Sequence, residues 1–277
     1  MPFDRLLTAL VLLMFVAAPA AAAPSADLWD RWTAHVADSD ATVDHAAWDS
    51  FLKTYVRDHE DGIARVAYAD VTRTDRDALD AYVAALEGTA VDRLGRPEQM
   101  AYWINLYNVA TVRLILDHYP VDSIRDIDIS PGLFSSGPWG KKLLTVQGEA
   151  LSLDDIEHRI LRPIWRDPRI HYAVNCASLG CPNLVTDAFT KDNTEQLLEM
   201  AARAYVNHPR GATVSRGKLT VSSIYDWFKV DFGGSQRGVI DHLTRYADEE
   251  LAASLGGIKR ISGHRYDWSL NDTGPSS

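Results

Sequence analysis

P-E-Q-M-A-Y-W-I-N-L-Y-N-V-A-T-V-R-L-I-L-D-H, residues Pro97 to His118, is the stretch around which the rest of the chain must organise. Pro97 suits a first helical turn and Pro120 blocks continuation, so the spacing predicts one long helix between them. Met100, Trp103, Ile104, Tyr107, Thr111, Leu114 and Ile115 recur at the i, i+3, i+4 spacing of a helix. At ~100° per residue, Ala101, Asn105, Asn108 and Val112 share a second, narrow face. Leu106 and Val109 occupy much of the remainder, which leaves almost no polar side. A helix that is apolar all round is a central, buried one. Asn105 and Asn108 must then find partners, because a buried unpaired amide costs ~1–3 kcal/mol. Two roles are open to them. They tie loops to the central helix, or they donate to a reactive group.

Upstream, Asp27 to Val36, Val43 to Val56 and Thr74 to Leu86 read as helices, with Trp29, Trp32, Trp48, Phe51, Leu52 and Tyr55 at helical spacing. Downstream the character changes. Lys142 to Leu151 reads as a short hairpin turning at Gln147-Gly148. Ser152-Leu153-Asp154-Asp155 carries a capping-box pattern that opens a helix bearing His158. Arg169 to Cys176 alternates apolar and polar residues and predicts a half-buried strand. Asn193 to Val206 and Val239 to Ala253 read as helices, and Thr213 to Val221 as a hairpin. Lys259 to Ser262 and Tyr266 to Leu270 read as closing strands. Without a βαβ rhythm, this order argues α+β: a helix-rich N-terminal half packed on a small mixed or antiparallel sheet from the C-terminal half.

The first residues read as an address. Arg5, the apolar run Leu6 to Ala18 and the alanines before Pro24 follow the plan of a secretory signal peptide over residues 1–23, in a run too short to span a bilayer. Removing it leaves 277 − 23 = 254 residues. With no repeat, linker or composition shift, residues 24–270 are expected to form a single domain, and residues 271–277 a frayed, disordered tail. The expected location is periplasmic or secreted, with no membrane span in the mature form. A formal charge of −10 argues against nucleic acid as a partner. The expected partner is an extracytoplasmic substrate or protein, and no cofactor-binding motif stands out.

Both cysteines sit in Asn175-Cys176-Ala177-Ser178-Leu179-Gly180-Cys181-Pro182. A disulfide needs their Cα atoms ~4.4–6.8 Å apart, against ~16 Å along an extended chain, so it requires a sharp turn at Ser178-Leu179-Gly180. The other reading makes Cys176 a thiolate nucleophile, which needs a neighbour that lowers its pKa. His158, one element upstream, is the candidate base, whereas His171 faces away from Cys176 on a continuous strand. His158 also suits a helix C-terminus, where it would complement the dipole. His158, His171, Cys176 and Cys181 are zinc-type ligands, although the histidine spacing fits no usual site. Asp231 reads as an exposed cap that could orient an imidazole.

The blocks Tyr102 to Asn108, Ile156-Glu157-His158 and Asp167 to Pro182 resemble the family of domains of unknown function 547, in that family's order. Ser223 to Phe232 resembles its closing aromatic block, so that the likeness spans about Val43 to Tyr246. The resemblance implies no activity. It carries a fold-level analogy to papain- or transglutaminase-type thiol enzymes, with the histidine before the cysteine instead of after it. The residues themselves favour a thiol-dependent hydrolase or acyl transferase acting on an amide or ester. Cys176 would be nucleophile, His158 base, and Asn105 or Asn108 oxyanion donors or imidazole-orienting groups. The alternative is a non-catalytic binding module stapled by a Cys176–Cys181 disulfide.

Overall fold

The computed structural model describes residues 24–132 and 137–274, and the expected leader lies outside them. A single 3-10 turn, Asp30–Thr33, stands where a longer helix was expected. Then come α1 (Ala46–Tyr55), α2 (Arg73–Glu87) and α3 (Arg96–His118). The side chain of Thr72 caps α2 by accepting from the Asp75 N–H. Every residue of α3 from Glu98 to Val112 is buried. Glu98 and Gln99 are both satisfied: the Gln99 amide donates to the Ala34 and Val91 carbonyls, and Glu98 accepts from the Val43 N–H. This is the central helix that the sequence demanded.

β1 (Val56–Arg57) and β2 (Arg65–Val66) form one small antiparallel pair, and β3 (Leu144–Val146) and β4 (Glu149–Leu151) another. The second turns at Gln147 and Gly148, both at positive φ, which matches the twist of a two-residue hairpin. The capping box follows as expected: Ser152 N–H donates to Asp155 Oδ2, and Asp155 N–H to Ser152 Oγ. The helix it opens is wider than expected, a π-helical segment Asp155–Leu161 running into α4 (Arg162–Trp165). Wide turns of this kind are frequent at functional sites.

The strand expected from Arg169 to Cys176 is instead one helical turn, α5 (Ile170–Ala173). All four of its residues are buried. Ile170 joins the core around α3, and Tyr172 joins a second core cluster formed with Tyr205, Tyr225, Phe232 and Leu243. Alternation marks a strand only where one face meets water, and this segment has packing on both sides.

The C-terminal half continues with α6 (Thr194–Asn207), β5 (Ala212–Ser215), β6 (Lys218–Ser222), α7 (Ile224–Trp227), α8 (Gln236–Tyr246), α9 (Glu249–Leu255) and β7 (Ile261–Arg265). β5 pairs antiparallel with β6, and β6 parallel with β7, so the sheet is mixed and the fold is α+β. The single helix expected over Val239 to Ala253 is broken because Asp248 caps α9 with its side chain. Tyr266 to Leu270 is not a strand, and only Leu270 makes a β-bridge, with Ser178. Nor does the chain fray at Asn271. That residue is buried, its side chain accepts from the Tyr68 hydroxyl, and its backbone bonds to Val66 and Ala177. Asn271 is thus anchored, where composition alone suggested the start of a loose tail. Among the described residues, no helix is long and apolar enough to cross a membrane.

Candidate functional site

The chain leaves α5 into a tight turn that carries both cysteines, and α3 holds that turn from below. Asn108 Nδ2 donates to the Ala173 carbonyl at 2.9 Å, and its Oδ1 accepts from the Asn175 N–H at 2.8 Å. Asn175 repeats the device, accepting from the Ala177 N–H and donating to the Pro182 carbonyl. Asn105 clamps the backbone of Phe189 in the same two-bonded way. Both central-helix amides are thus spent on backbone, and neither has a bond to Cys176. Replacing Asn108 by alanine should strand one donor and one acceptor and destabilise the protein by about 1–3 kcal/mol. A urea-unfolding change of only a few tenths would overturn that burial argument.

From above, the turn docks on the last segment of the chain. Leu179 N–H bonds to the Ser269 carbonyl and Gly180 N–H to that of Asp267, both at 2.8 Å. The fit requires glycine, because a Cβ on Gly180 would stand 2.7 Å from the backbone nitrogen of Asp267. Ala177, directly after Cys176, has φ +57°, a left-handed conformation that costs a non-glycine residue ~1–2 kcal/mol. Strain of that kind gathers where a side chain must be aimed.

The strained turn places the Cys176 and Cys181 sulfurs 3.2 Å apart, both as free thiols. Cys176 is half-buried and Cys181 buried. Cys176 Sγ also lies 3.3 Å from Ser178 Oγ and 3.1 Å from the Tyr266 hydroxyl, and Ser178 donates to that hydroxyl. The two thiols are driven apart chemically. Hydrogen bonding with Cys181 holds Cys176 below an ordinary thiol, aided by Ser178 and Tyr266, against burial and the negative charge of Glu157. Burial pushes Cys181 well up, and the adjoining Cys176 sulfur adds to this.

The histidines are elsewhere. His158 Nδ1 faces an Arg162 N–H at 3.1 Å, and its Nε2 lies 3.6 Å from Asp154. Burial lowers its pKa to about 4, so it is neutral near pH 7 and lends no charge to a helix end. His171 lies between two carboxylates, with Nδ1 at 3.3 Å from Glu157 and Nε2 at 2.7 Å from Asp231. Its ring stacks on Phe228 with centroids 4.3 Å apart. Burial works against its charged form, but Asp231 and Glu157 prevail and raise its pKa. Asp231 is therefore an ion-pair centre and not an exposed cap, since its Oδ2 also takes the Arg162 Nε–H at 2.6 Å.

The expected set of Cys176, His158, Asn105 and Asn108 is accordingly not gathered around one thiol, and neither histidine has a hydrogen bond to Cys176. The zinc set is not assembled either: the cysteines share a turn, the histidines a carboxylate–arginine cluster, and no group among the described residues is arranged to hold a metal. Two contributors to the thiol site, Ser178 and Tyr266, escaped sequence reasoning. Ser178 was adjacent, but Tyr266 lies 90 residues from Cys176 with no local signal.

The site thus defines a protein with a dithiol turn, one sulfur half-buried and one buried, and a separate imidazole–carboxylate cluster. Residues 91–206 match the family described as protein of unknown function, DUF547. The match contains α3, the π-helical segment and the whole cysteine turn, while Ser223 to Phe232 falls beyond it, so the likeness is shorter than the sequence blocks suggested. No curated protein and no solved structure matches the chain, and the analogy to papain- or transglutaminase-type enzymes carries no argument.

Proposed function

We infer that this is an exported thiol–disulfide exchange protein in which Cys176 is the attacking thiol and Cys181 the resolving one. The observation that carries the reading is the pairing of a half-buried thiol of lowered pKa with a buried thiol of raised pKa, 3.2 Å away. Reactivity follows the thiolate fraction, so this asymmetry favours attack at Cys176. The Cys176 thiolate attacks one sulfur of a substrate disulfide, forms a mixed disulfide and expels the other sulfur as a thiolate. Cys181 then attacks Cys176 Sγ, its proton leaving with the departing thiol. The protein ends as the Cys176–Cys181 disulfide, and the substrate is reduced by two electrons. A dithiol or two monothiols reverse the cycle.

Hydrolysis or acyl transfer by the same thiol would need a base at Cys176, and His158 and His171 are engaged with other groups. Thiol exchange needs only the resolving sulfur, which is in place. Export, expected from residues 1–23, would put the pair where disulfides are formed and exchanged.

In reduced protein, iodoacetamide should modify Cys176 below pH 8.5, where ordinary thiols begin to ionise, and Cys181 much more slowly. Bis(2-hydroxyethyl) disulfide should convert reduced wild-type protein to the internal disulfide. The Cys181→Ser variant should stop at a stable mixed disulfide on Cys176, seen by mass spectrometry. Absence of any adduct on that variant would end the exchange reading. An internal disulfide that resists millimolar dithiol reductants would instead favour the non-catalytic binding module.

A further inference from the structure

Beside the dithiol lies a groove of about 480 Å³ whose wall includes Gly180 and Tyr266. Tyr266 links the two, since its hydroxyl touches Cys176 Sγ. Arg65, Arg210 and Arg265 line the groove, against Asp61 and Asp267. Arg65 is neutralised by a two-pronged pair with Asp61. The other two guanidiniums are bonded only to neutral groups. Arg210 reaches the Leu179 carbonyl and the Asn183 side chain, and its Nε has no partner. Arg265 bonds to the Pro209 carbonyl and the Thr213 hydroxyl. Asp267 is the one lining acid not held by an arginine, and its Oδ1 accepts from the Ser269 N–H. A chain of net charge −10 therefore keeps a locally cationic groove within one side chain of its attacking sulfur.

Two guanidiniums with free charge and planar donors suit a carboxylate, which takes paired N–H bonds better than any neutral group. We propose that this groove binds the carboxylate of an anionic disulfide and thereby selects anionic over neutral and cationic disulfides for Cys176. The inference rests on the exchange reading above and adds the substrate class to it. Arg210 and Arg265 are binding residues here, since they would touch the substrate without entering the sulfur chemistry. Burial lowers the Arg210 pKa against the opposing influence of Tyr205, the Cys181 sulfur and Tyr266, as befits a guanidinium close to the dithiol.

Three small disulfides of equal backbone length separate the possibilities: 3,3′-dithiodipropionate, bis(2-hydroxyethyl) disulfide and cystamine, carrying two negative, no and two positive charges. Each rate with reduced protein is divided by the rate of the same disulfide with 2-mercaptoethanol, which removes intrinsic reactivity. The dianion should be favoured over the neutral compound by about tenfold at low salt and the dication disfavoured, with the preference shrinking as salt is raised. Arg265→Gln, at an exposed position, should lower the dianion rate several-fold and so narrow the dianion's advantage over the neutral compound, whereas an undiminished advantage would overturn the groove inference. Suberate, which has the two carboxylates but no sulfur, reports the groove independently of exchange. It should bind by calorimetry and protect Cys176 from iodoacetamide, and 1,8-octanediol should do neither. If the neutral disulfide reacts but the dianion has no advantage, the groove inference falls and the exchange reading stands. If none of the three reacts while suberate binds and protects, the exchange reading fails and an anion site beside Cys176 remains. If suberate does not bind either, both fall.

Discussion

Asp231→Ala should destabilise the protein by about 3–5 kcal/mol, because it removes the one carboxylate oxygen shared by two buried cations. Asp231 Oδ2 holds Arg162 Nε at 2.6 Å and His171 Nε2 at 2.7 Å. The Arg162 and His171 side chains are each only 2% exposed, so water cannot replace what the mutation removes. Glu157 would keep one face of His171 but leave the guanidinium without its anion. The test is urea unfolding of the reduced protein, where the midpoint should fall by more than about 1 M. Asp231→Asn, which keeps the shape and loses the charge, should fall between wild type and the alanine variant. A loss below about 1 kcal/mol would class the pair with surface ion pairs and sink the argument.

The same cluster should give stability a maximum near pH 6.5. Burial pushes the Glu157 carboxyl up, but the positive charges of His158, His171 and Arg162 overcome it and hold its pKa down to about 2. Burial lowers His158 to about 4. Both groups are depressed in the folded state, so the stability they confer is present above their unfolded values and lost as pH falls. The loss begins below pH 6.5 with His158 and deepens between about 4.5 and 2 with Glu157. His171 runs the other way. Its folded pKa is raised, so its contribution is full below pH 6.5 and declines as pH rises past that value. On the acid side, where two groups act together, the loss should reach several kcal/mol, offset in part between about pH 6 and 4 by Asp154, whose pKa burial raises to about 6. Denaturant midpoints between pH 3 and 9 would trace this curve. His171→Phe should flatten the alkaline limb and leave most of the acid limb, and an unchanged alkaline limb would mean His171 carries no linked proton.

Where one segment's own periodicity decided its environment, the sequence was legible. The apolar circumference of Pro97 to His118 announced a central helix, and the burial of Asn105 and Asn108 followed from it. The capping box at Ser152 was equally readable, being complete within four residues. What those asparagines bond to was not readable, because Phe189, Ala173 and Asn175 are brought to α3 by tertiary packing. The half-buried strand read into Arg169 to Cys176 failed for a related reason. Ile170 and Tyr172 face two different core clusters, so alternation there records two interiors and not an inside and an outside. The pairing of His171 with Asp231 spans 60 residues, and that of Cys176 with Tyr266 spans 90. A local pattern cannot encode such distances. The expected strand turned His171 away and so favoured His158 as a partner for Cys176, and the π-helical segment turns that ring toward Arg162 instead.

The cysteine turn is gripped from two distant parts of the sequence, by Asn108 on one side and by Asp267, Ser269 and Asn271 on the other. Synthesis runs from the amino terminus, so the thiols are made long before the backbone that roofs them. Until residues 266–271 emerge, the strained Ala177 conformation has only its α3 side to hold it, and Tyr266 is not there to touch Cys176. The surroundings of the two thiols are thus incomplete until the segment from Tyr266 to Asn271 has been made. Any truncation that removes the segment from Tyr266 onward leaves a chain with both cysteines present and the site that tunes them unmade.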